Sequence, residues 1–479
     1  MPISLWVFCR AVLATLLVPP LLATSLVAAE PAADPAAEKI SYFKDVLPIF
    51  RSKNCTGCHQ AAKRGGDYVM TEFATLLKGG ESGEPAIVPG KPAESGLIAQ
   101  ITPHADGKAD MPKDAPPLTA PEIAKITKWI EQGAIDDTPA SNLPKYDAEH
   151  PPVYRASPVL RAVEYSPDGQ TIAVSGYHEV LLHKADGSGL AARLVGQSER
   201  IESAVFSPDG KRLAVTGGSP GRFGEVQIWD VEKRELTLSK MVGHDTVYGA
   251  SWSPDGTMVA FGCPDNSVRA INPNTGEQVL FSGAHNDWVL DTVFSSKSDH
   301  LITVSRDMSM KLVEVKTQRF IDNITSITPG ALKGGLLAID RHPTNDELLC
   351  GGSDGKPQIF KMVRTQARQI GDNANLIKDF AAMPGRVFAV AFNADGTKIV
   401  AGSSNDSKGE VRMYNVADGA MVWKLEVPEG GIFTVDISPD GSTVSAGGFD
   451  GDVRLINTAD GALRTRFAPV QITPAVATK

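Results

Sequence analysis

Ser166-Pro167-Asp168-Gly169 recurs as Ser207-Pro208-Asp209-Gly210, Ser253-Pro254-Asp255-Gly256 and Ser438-Pro439-Asp440-Gly441, with degenerate copies starting at Ser295, His342 and Asn393. The starts lie 41, 46, 42, 47, 51 and 45 residues apart, the spacing of one supersecondary unit repeated along the chain. Within the turn, Pro presets one backbone dihedral and Gly accepts a positive one. An apolar run enters each turn, as in Ala204-Val205-Phe206 or Thr434-Val435-Asp436-Ile437, and a second leaves it, as in Leu213-Ala214-Val215 or Lys398-Ile399-Val400-Ala401. After a polar turn comes a third strand such as Val226-Gln227-Ile228-Trp229-Asp230. A single unit of this kind cannot cover both of its faces, so neighbours must stack. Seven copies predict an all-β, seven-bladed propeller over residues 153–469.

Trp229-Asp230 is a full signature dipeptide, Gly243-His244 opens one blade, and Arg412-Met413-Tyr414-Asn415 and Arg454-Leu455-Ile456-Asn457 fill the dipeptide slot without matching it. On these residues the segment resembles the WD40 family. The resemblance implies a hydrogen-bond network bracing the blades, with His285, Ser305 and Asp307 at its positions, and a surface on which a partner docks. Two closures are open: Val153-Tyr154-Arg155 as an outer strand of the last blade, or local closure by residues 462–467.

Upstream stands Asn54-Cys55-Thr56-Gly57-Cys58-His59. Two thiols separated by two residues, with histidine directly after the second, are what covalent haem attachment needs. On one helical turn Cys55 and Cys58 fall at i and i+3, within reach of one porphyrin edge, and His59 offers its imidazole to the iron. A zinc site would need a second ligand pair, and the next cysteine is Cys263. Met70, His104 and Met111 are candidates for the sixth iron position; Met111-Pro112 sits in a Pro-rich loop ahead of the domain's last helix.

Tyr42, Phe43, Val46, Leu47, Ile49 and Phe50 recur at helical intervals before the motif, with Pro48 bending or interrupting them. Thr119-Ala120-Pro121-Glu122 forms a capping box and Gly133 a stop, bounding a helix with Ile123, Ile126 and Ile130 on one face. Residues 1–29 read as an export signal cleaved after Ala29, because Arg10 precedes an apolar run that ends in small residues. Pro19 and Pro20 break that run, so no integral membrane span is expected after cleavage. Residues 30–40 are a spacer, 41–137 the haem domain, 138–152 a polar linker and 470–479 a C-terminal tail.

Leu77-Lys78-Gly79-Gly80-Glu81-Ser82-Gly83, Ile87-Val88-Pro89-Gly90-Lys91-Pro92, Ser95, Met111-Pro112 and Trp129-Ile130-Glu131-Gln132-Gly133-Ala134 together resemble the planctomycete-type cytochrome c domain. The resemblance implies a small all-α domain holding one covalent haem c. Cys55 and Cys58 would form the thioethers, His59 would be the proximal ligand and Met111 the distal one.

A net charge of −9 argues against non-specific nucleic-acid binding. Cys263 and Cys350 fall in blades that are not neighbours, so buried free thiols are expected rather than a disulfide. His178 and His183 face opposite ways on one strand and make no metal pair. Arg51, Lys53, Lys63 and Arg64 flank the haem motif as steering charges for an acidic redox partner, or as solvated surface charge or partners for the haem propionates. The functional expectation is an exported electron carrier with the propeller as docking platform for a redox protein, non-enzymatic rather than catalytic. A redox sensor, or an oxidoreductase with catalysis in the propeller, are the alternatives.

Overall fold

The computed structural model describes residues 39–60, 63–71, 73–113, 115–138, 146–326, 333–367, 369 and 373–473. The export signal and most of the spacer lie outside them, as do residues 139–145 of the linker and 474–479 of the tail. Among the described residues no helix is long and apolar enough to cross a membrane.

The N-terminal region begins with a π-helical turn, Tyr42–Val46, which runs into α1 (Leu47–Ser52). Pro48 enters at the start of α1, where its missing N–H costs no intrahelical bond. The short helices α2 (Cys55–Cys58), α3 (Phe73–Lys78) and α4 (Gly96–Ile101) follow, and α5 (Ala120–Glu131) closes the region. The capping box forms as its residues require: Glu122 Oε2 accepts from Thr119 N at 2.6 Å and from Thr119 Oγ1 at 2.9 Å. Trp129, Ile126, Ile130, Phe50, Leu76 and Ile87 are fully buried in a common core, where Tyr42 stacks on Trp129 at 5.2 Å. The all-α expectation needs correction. A short antiparallel pair, His59–Gln60 with Lys63–Arg64, follows directly on α2.

From Val163 onward the chain is antiparallel β. Among the described residues its strands make six sheets: five of four strands and one of seven, Val163 to Gly243. The seven-stranded sheet contains two copies of the repeat, because the strand Leu190–Phe206 runs without a break from the end of the first copy into the start of the second. The Ser-Pro-Asp-Gly turns explain their own composition. In the first, Ser166 Oγ donates to Asp168 Oδ1 at 2.6 Å and accepts from Thr171 N at 3.0 Å, while Gly169 takes φ 67°. The degenerate copies keep the chemistry with other side chains: His342 Nδ1 accepts from Thr344 N and Asn345 N, each at 3.2 Å, and Asn393 Oδ1 from Lys398 N at 2.8 Å.

The last sheet ends in its own strand Leu463–Phe467. Tyr154 bridges to Ile472 outside it. First and last sheets meet directly: Val163 N donates to Thr434 Oγ1 at 3.0 Å and Tyr165 N to Asp436 Oδ2 at 2.7 Å. Leu160, Val163 and Leu181 share a core with Val453 and Leu455. The linker's last residues are clamped here, Pro152 O accepting from Arg193 Nη2 at 2.8 Å and Tyr154 Oη donating to the buried Glu179 at 2.8 Å.

Cys263 and Cys350 are buried free thiols, as expected. The bracing network holds His285 Nδ1 2.9 Å from Asp307 Oδ2 and Nε2 2.7 Å from Thr303 Oγ1. Thr303 takes the place expected of Ser305, which instead donates to Asp287 O at 3.1 Å. Burial opposes ionisation of Asp307, but hydrogen bonds from His285, Ser309 and Asn286 hold its carboxyl well below the usual range. Asp307→Ala strands the buried imidazole without its partner and is expected to cost about 2–3 kcal/mol of unfolding free energy, read from urea titration.

Candidate functional site

The haem motif occupies the single turn α2, entered through Asn54 in the left-handed conformation at φ 57°. Cys55 and Cys58 are both half-buried, and Cys55 packs on the domain core. Burial pushes the Cys55 thiol up to about 12. The His59 ring lies 5.3 Å from that of Tyr68, and its buried Nδ1 has no hydrogen-bond partner. Burial also lowers the proton affinity of His59, more than the Gly65 and Tyr68 backbone contacts restore it. Burial thus favours the neutral imidazole, the form that ligates iron.

The three candidates for the opposite ligand are placed differently. Met111 is half-buried against the same core as Cys55, with its backbone N–H on Gln100 O at 2.9 Å. Met70 is fully buried in that core, and its N–H donates to His59 O at 2.7 Å. His104 lies on the surface, 3.3 Å from Asp110. Two thiols on one turn, an adjacent neutral imidazole with an orphaned nitrogen, and a thioether on the same core fit a covalently held haem. Among the described residues no cluster of three or more His, Cys, Asp or Glu side chains could hold a free metal ion. His183 instead bonds Pro469 O at 3.0 Å, and His178 rests against Tyr146 and Tyr177.

A second candidate lies among the repeats. The first strands of all seven copies line one cavity of about 780 Å³. Each strand begins at the same end of it, where Arg161, Glu202, Tyr248, Leu290, Leu337, Phe388 and Phe433 form a rim. Arg161 lies 5.4 Å over the Phe433 ring and 3.0 Å from Glu202, and Phe388 meets Phe433 edge-on at 5.0 Å. Tyr248 stacks on Trp288 at 5.7 Å, and Arg306 covers Trp288 at 4.5 Å. Deeper in, Glu164, Asp291, Asp340 and Asp436 each accept a backbone N–H from the next copy, from Phe206, Ile339, Phe392 and Tyr165 respectively, at 2.7–3.1 Å. Sequence reasoning missed these four. A signal was present: Glu164, Asp340 and Asp436 each stand two residues before the turn, where an apolar residue would suit a buried strand.

Comparison with known proteins matches residues 55–115 to the family Planctomycete cytochrome C, and residues 235–272 and 419–457 to the WD domain, G-beta repeat. The chain is thus similar to Planctomycete cytochrome C in its N-terminal region and to WD40 repeats further on. Its curated relatives are WD40 proteins. Eukaryotic translation initiation factor 3 subunit I of Aspergillus fumigatus is 24% identical over 53% of this chain and 66% of its own length. Periodic tryptophan protein 2 of Arabidopsis thaliana is 23% identical over 55% and 27%, and COMPASS component SWD3 of Saccharomyces cerevisiae 29% identical over 33% and 47%. The chain thus spans from about a quarter to two thirds of the length of these relatives.

These findings overturn the expectation that the whole chain is an exported electron carrier with the propeller as accessory. What it shares with the curated relatives is the WD40 part, and their names are those of a translation initiation factor subunit, a periodic tryptophan protein and a COMPASS component. In the structure α2 packs against the strand Glu235–Gly243 of the repeats. The redox-sensor and oxidoreductase alternatives fall with the same premise. Of the flanking cations, Lys53 pairs with Glu122 at 3.2 Å and Arg51 is half-buried.

Proposed function

We propose that this chain is a protein-interaction platform in which seven WD40 blades close into one ring and a partner polypeptide seats over the rim of the central cavity. The observation that carries this reading is the rim itself, where half-buried Phe388, Phe433 and Tyr248 stand with Arg161, and Trp288 and Arg306 stack in series beside Tyr248. Aromatic and arginine side chains are the groups that most often anchor protein interfaces. The seam hydrogen bonds between first and last sheets support closure of the ring.

The N-terminal domain, in this reading, carries one haem c joined through Cys55 and Cys58, with His59 as proximal and Met111 as distal ligand. Bound there, the group supplies a single iron centre that can exchange one electron. The chain's own contribution is the turn that presents both thiols, the burial that favours a neutral His59 and the loop that brings Met111 to the core. Residues 1–29 direct export.

A photo-crosslinking residue at Phe433 or Phe388 of the full chain in its native cell is expected to capture one defined polypeptide at least tenfold more efficiently than the same residue at Leu463 on an outer strand. Equal capture at Leu463 overturns the rim as the docking surface.

A further inference from the structure

After the short pair of strands that His59 begins, the chain turns back onto His59 itself. A single 3-10 turn, Gly65–Asp67, leads into Tyr68, and Met70 N then donates to His59 O at 2.7 Å. The His59 N–H donates in turn to Cys55 O, so the backbone of this residue is held on both sides. Its ring is held differently. A histidine that ligates a metal is ordinarily turned by a hydrogen bond on its other ring nitrogen. His59 Nδ1 is buried and has no such partner, so the plane of the ring falls to what packs on it.

Gly65 and Tyr68 pack there. Gly65 lies at the edge of the ring, where a β-carbon would press on His59 Cε1 at 3.4 Å and on Cys58 O at 3.2 Å. The Tyr68 ring stands 5.3 Å from the imidazole with the two planes 57° apart. Tyr68 is itself anchored, because its Oη donates to the carbonyl of the fully buried Leu76 in α3 at 2.7 Å and its ring packs on the domain core. The Leu77–Gly83 run completes the arrangement. Glu81 N donates to Gly66 O at 2.7 Å, and Gly80 stands so near that a β-carbon on it would fall 2.1 Å from Gly66 O and 3.0 Å from Tyr68 Cβ. Only glycine permits that approach, so the run bears on His59 through Gly66 and Tyr68.

We propose that Gly65–Tyr68 is a shelf for the His59 imidazole, and that Tyr68 is the positioning residue that sets the plane of this ring toward the haem iron. The second half of this statement rests on the haem reading given above; the first does not. Groups that orient an axial ligand tune the metal it holds, so displacing the shelf alters the ferric low-spin spectrum without removing the ligand.

The test uses the full chain matured with cytochrome c assembly machinery, as wild type, Tyr68→Phe, Tyr68→Leu and Gly80→Ala, and each again with Cys55 and Cys58 as serine. In the serine background, nuclear magnetic resonance of the wild type is expected to show proton cross-relaxation between the His59 and Tyr68 rings, assigned by its loss in His59→Gln, and Gly80→Ala is expected to lose it. In the haem-bearing chain, Tyr68→Leu and Gly80→Ala keep the covalent porphyrin and the low-spin state but shift the ferric haem-methyl resonances in the same pattern. Tyr68→Phe keeps the ring and leaves those resonances as in the wild type. Absence of ring-to-ring cross-relaxation in the wild-type serine chain overturns the shelf, as do wild-type resonances in a folded Gly80→Ala. Unshifted resonances in Tyr68→Leu overturn the positioning role, which that variant decides alone where Gly80→Ala fails to fold. A shift in Tyr68→Phe as large as in Tyr68→Leu overturns the assignment of the role to the ring. Lack of covalent porphyrin in the wild type overturns the haem reading and the positioning role together, while cross-relaxation in the serine background still decides the shelf.

Discussion

A chain with serine at both Cys55 and Cys58 is expected to contain no covalently bound porphyrin after acid extraction and denaturation, whereas the wild type retains one. The effect is all-or-none, because the two thioethers are the only bonds of the kind this sequence can offer on one turn of backbone. His59→Ala is expected to leave attachment intact and remove the low-spin spectrum, since the buried imidazole with its orphaned nitrogen is the nearest donor to both sulfurs along the chain. Met111→Ala is expected to abolish the Met-to-iron charge-transfer band. Met70 is the competing thioether, and the two are placed differently in the structure. Met70 is fully buried and its N–H donates to His59 O, whereas Met111 comes from the loop ahead of α5. Persistence of the band in Met111→Ala transfers the assignment to Met70. Absence of the band in the wild type excludes both, and His104 would then have to leave Asp110 to serve. The truncation at Met111 also removes part of a core contact, at a cost of about 1–2 kcal/mol, so folding is checked by the far-ultraviolet spectrum of each variant.

The repeat was legible because its chemistry is local. Serine, proline, aspartate and glycine each answer a demand of the same four-residue turn, and Ser166, Asp168 and Gly169 meet those demands within five residues of one another. The α5 capping box was legible for the same reason. Features that depend on distant parts of the chain were not. Arg51 reads as a surface cation until the fold half-buries it. Thr303 reads as one more β-branched strand residue until His285 arrives from the preceding turn. The division into six sheets rather than seven depends on whether the backbone relaxes between two repeats, and Leu190–Phe206 does not. Equally, the pairing of His59–Gln60 with Lys63–Arg64 joins residues too few for any periodicity to register.

The four carboxylates lining the cavity should give the repeats a pH dependence opposite to that of most acidic side chains. They are half-buried by surface area yet lie deep among the first strands. Burial pushes the Asp291 and Asp436 carboxyls up to about 7, their backbone N–H bonds opposing and Asp340 adding to the shift. Burial likewise raises Asp340, and it raises Glu164 together with the charge of Asp436. A folded-state value above the unfolded one means that the native chain binds the proton more tightly. The stabilisation is complete below pH ~4 and is lost as pH rises through about 7, beyond which the dependence flattens. The turn aspartates act in another window. Asp209 and Asp440 are held below their ordinary range by Ser207 and Ser438, so their contribution is present above pH ~4 and is lost only as pH falls below it. Stability should therefore peak on the acid side of neutrality. With cavity water screening part of the shift, each of Asp291 and Asp436 is expected to account for on the order of 2 kcal/mol between pH 4.5 and 7.5. Asp436→Asn keeps an acceptor for Tyr165 N but does not titrate, so its cost is constant with pH and the slope of unfolding free energy against pH falls by that amount. An unchanged slope would mean that Asp436 is already ionised in the folded chain. Because Asp436 bonds Tyr165, its loss falls on the seam between last and first sheets, where closure of the proposed ring has no peptide bond to sustain it.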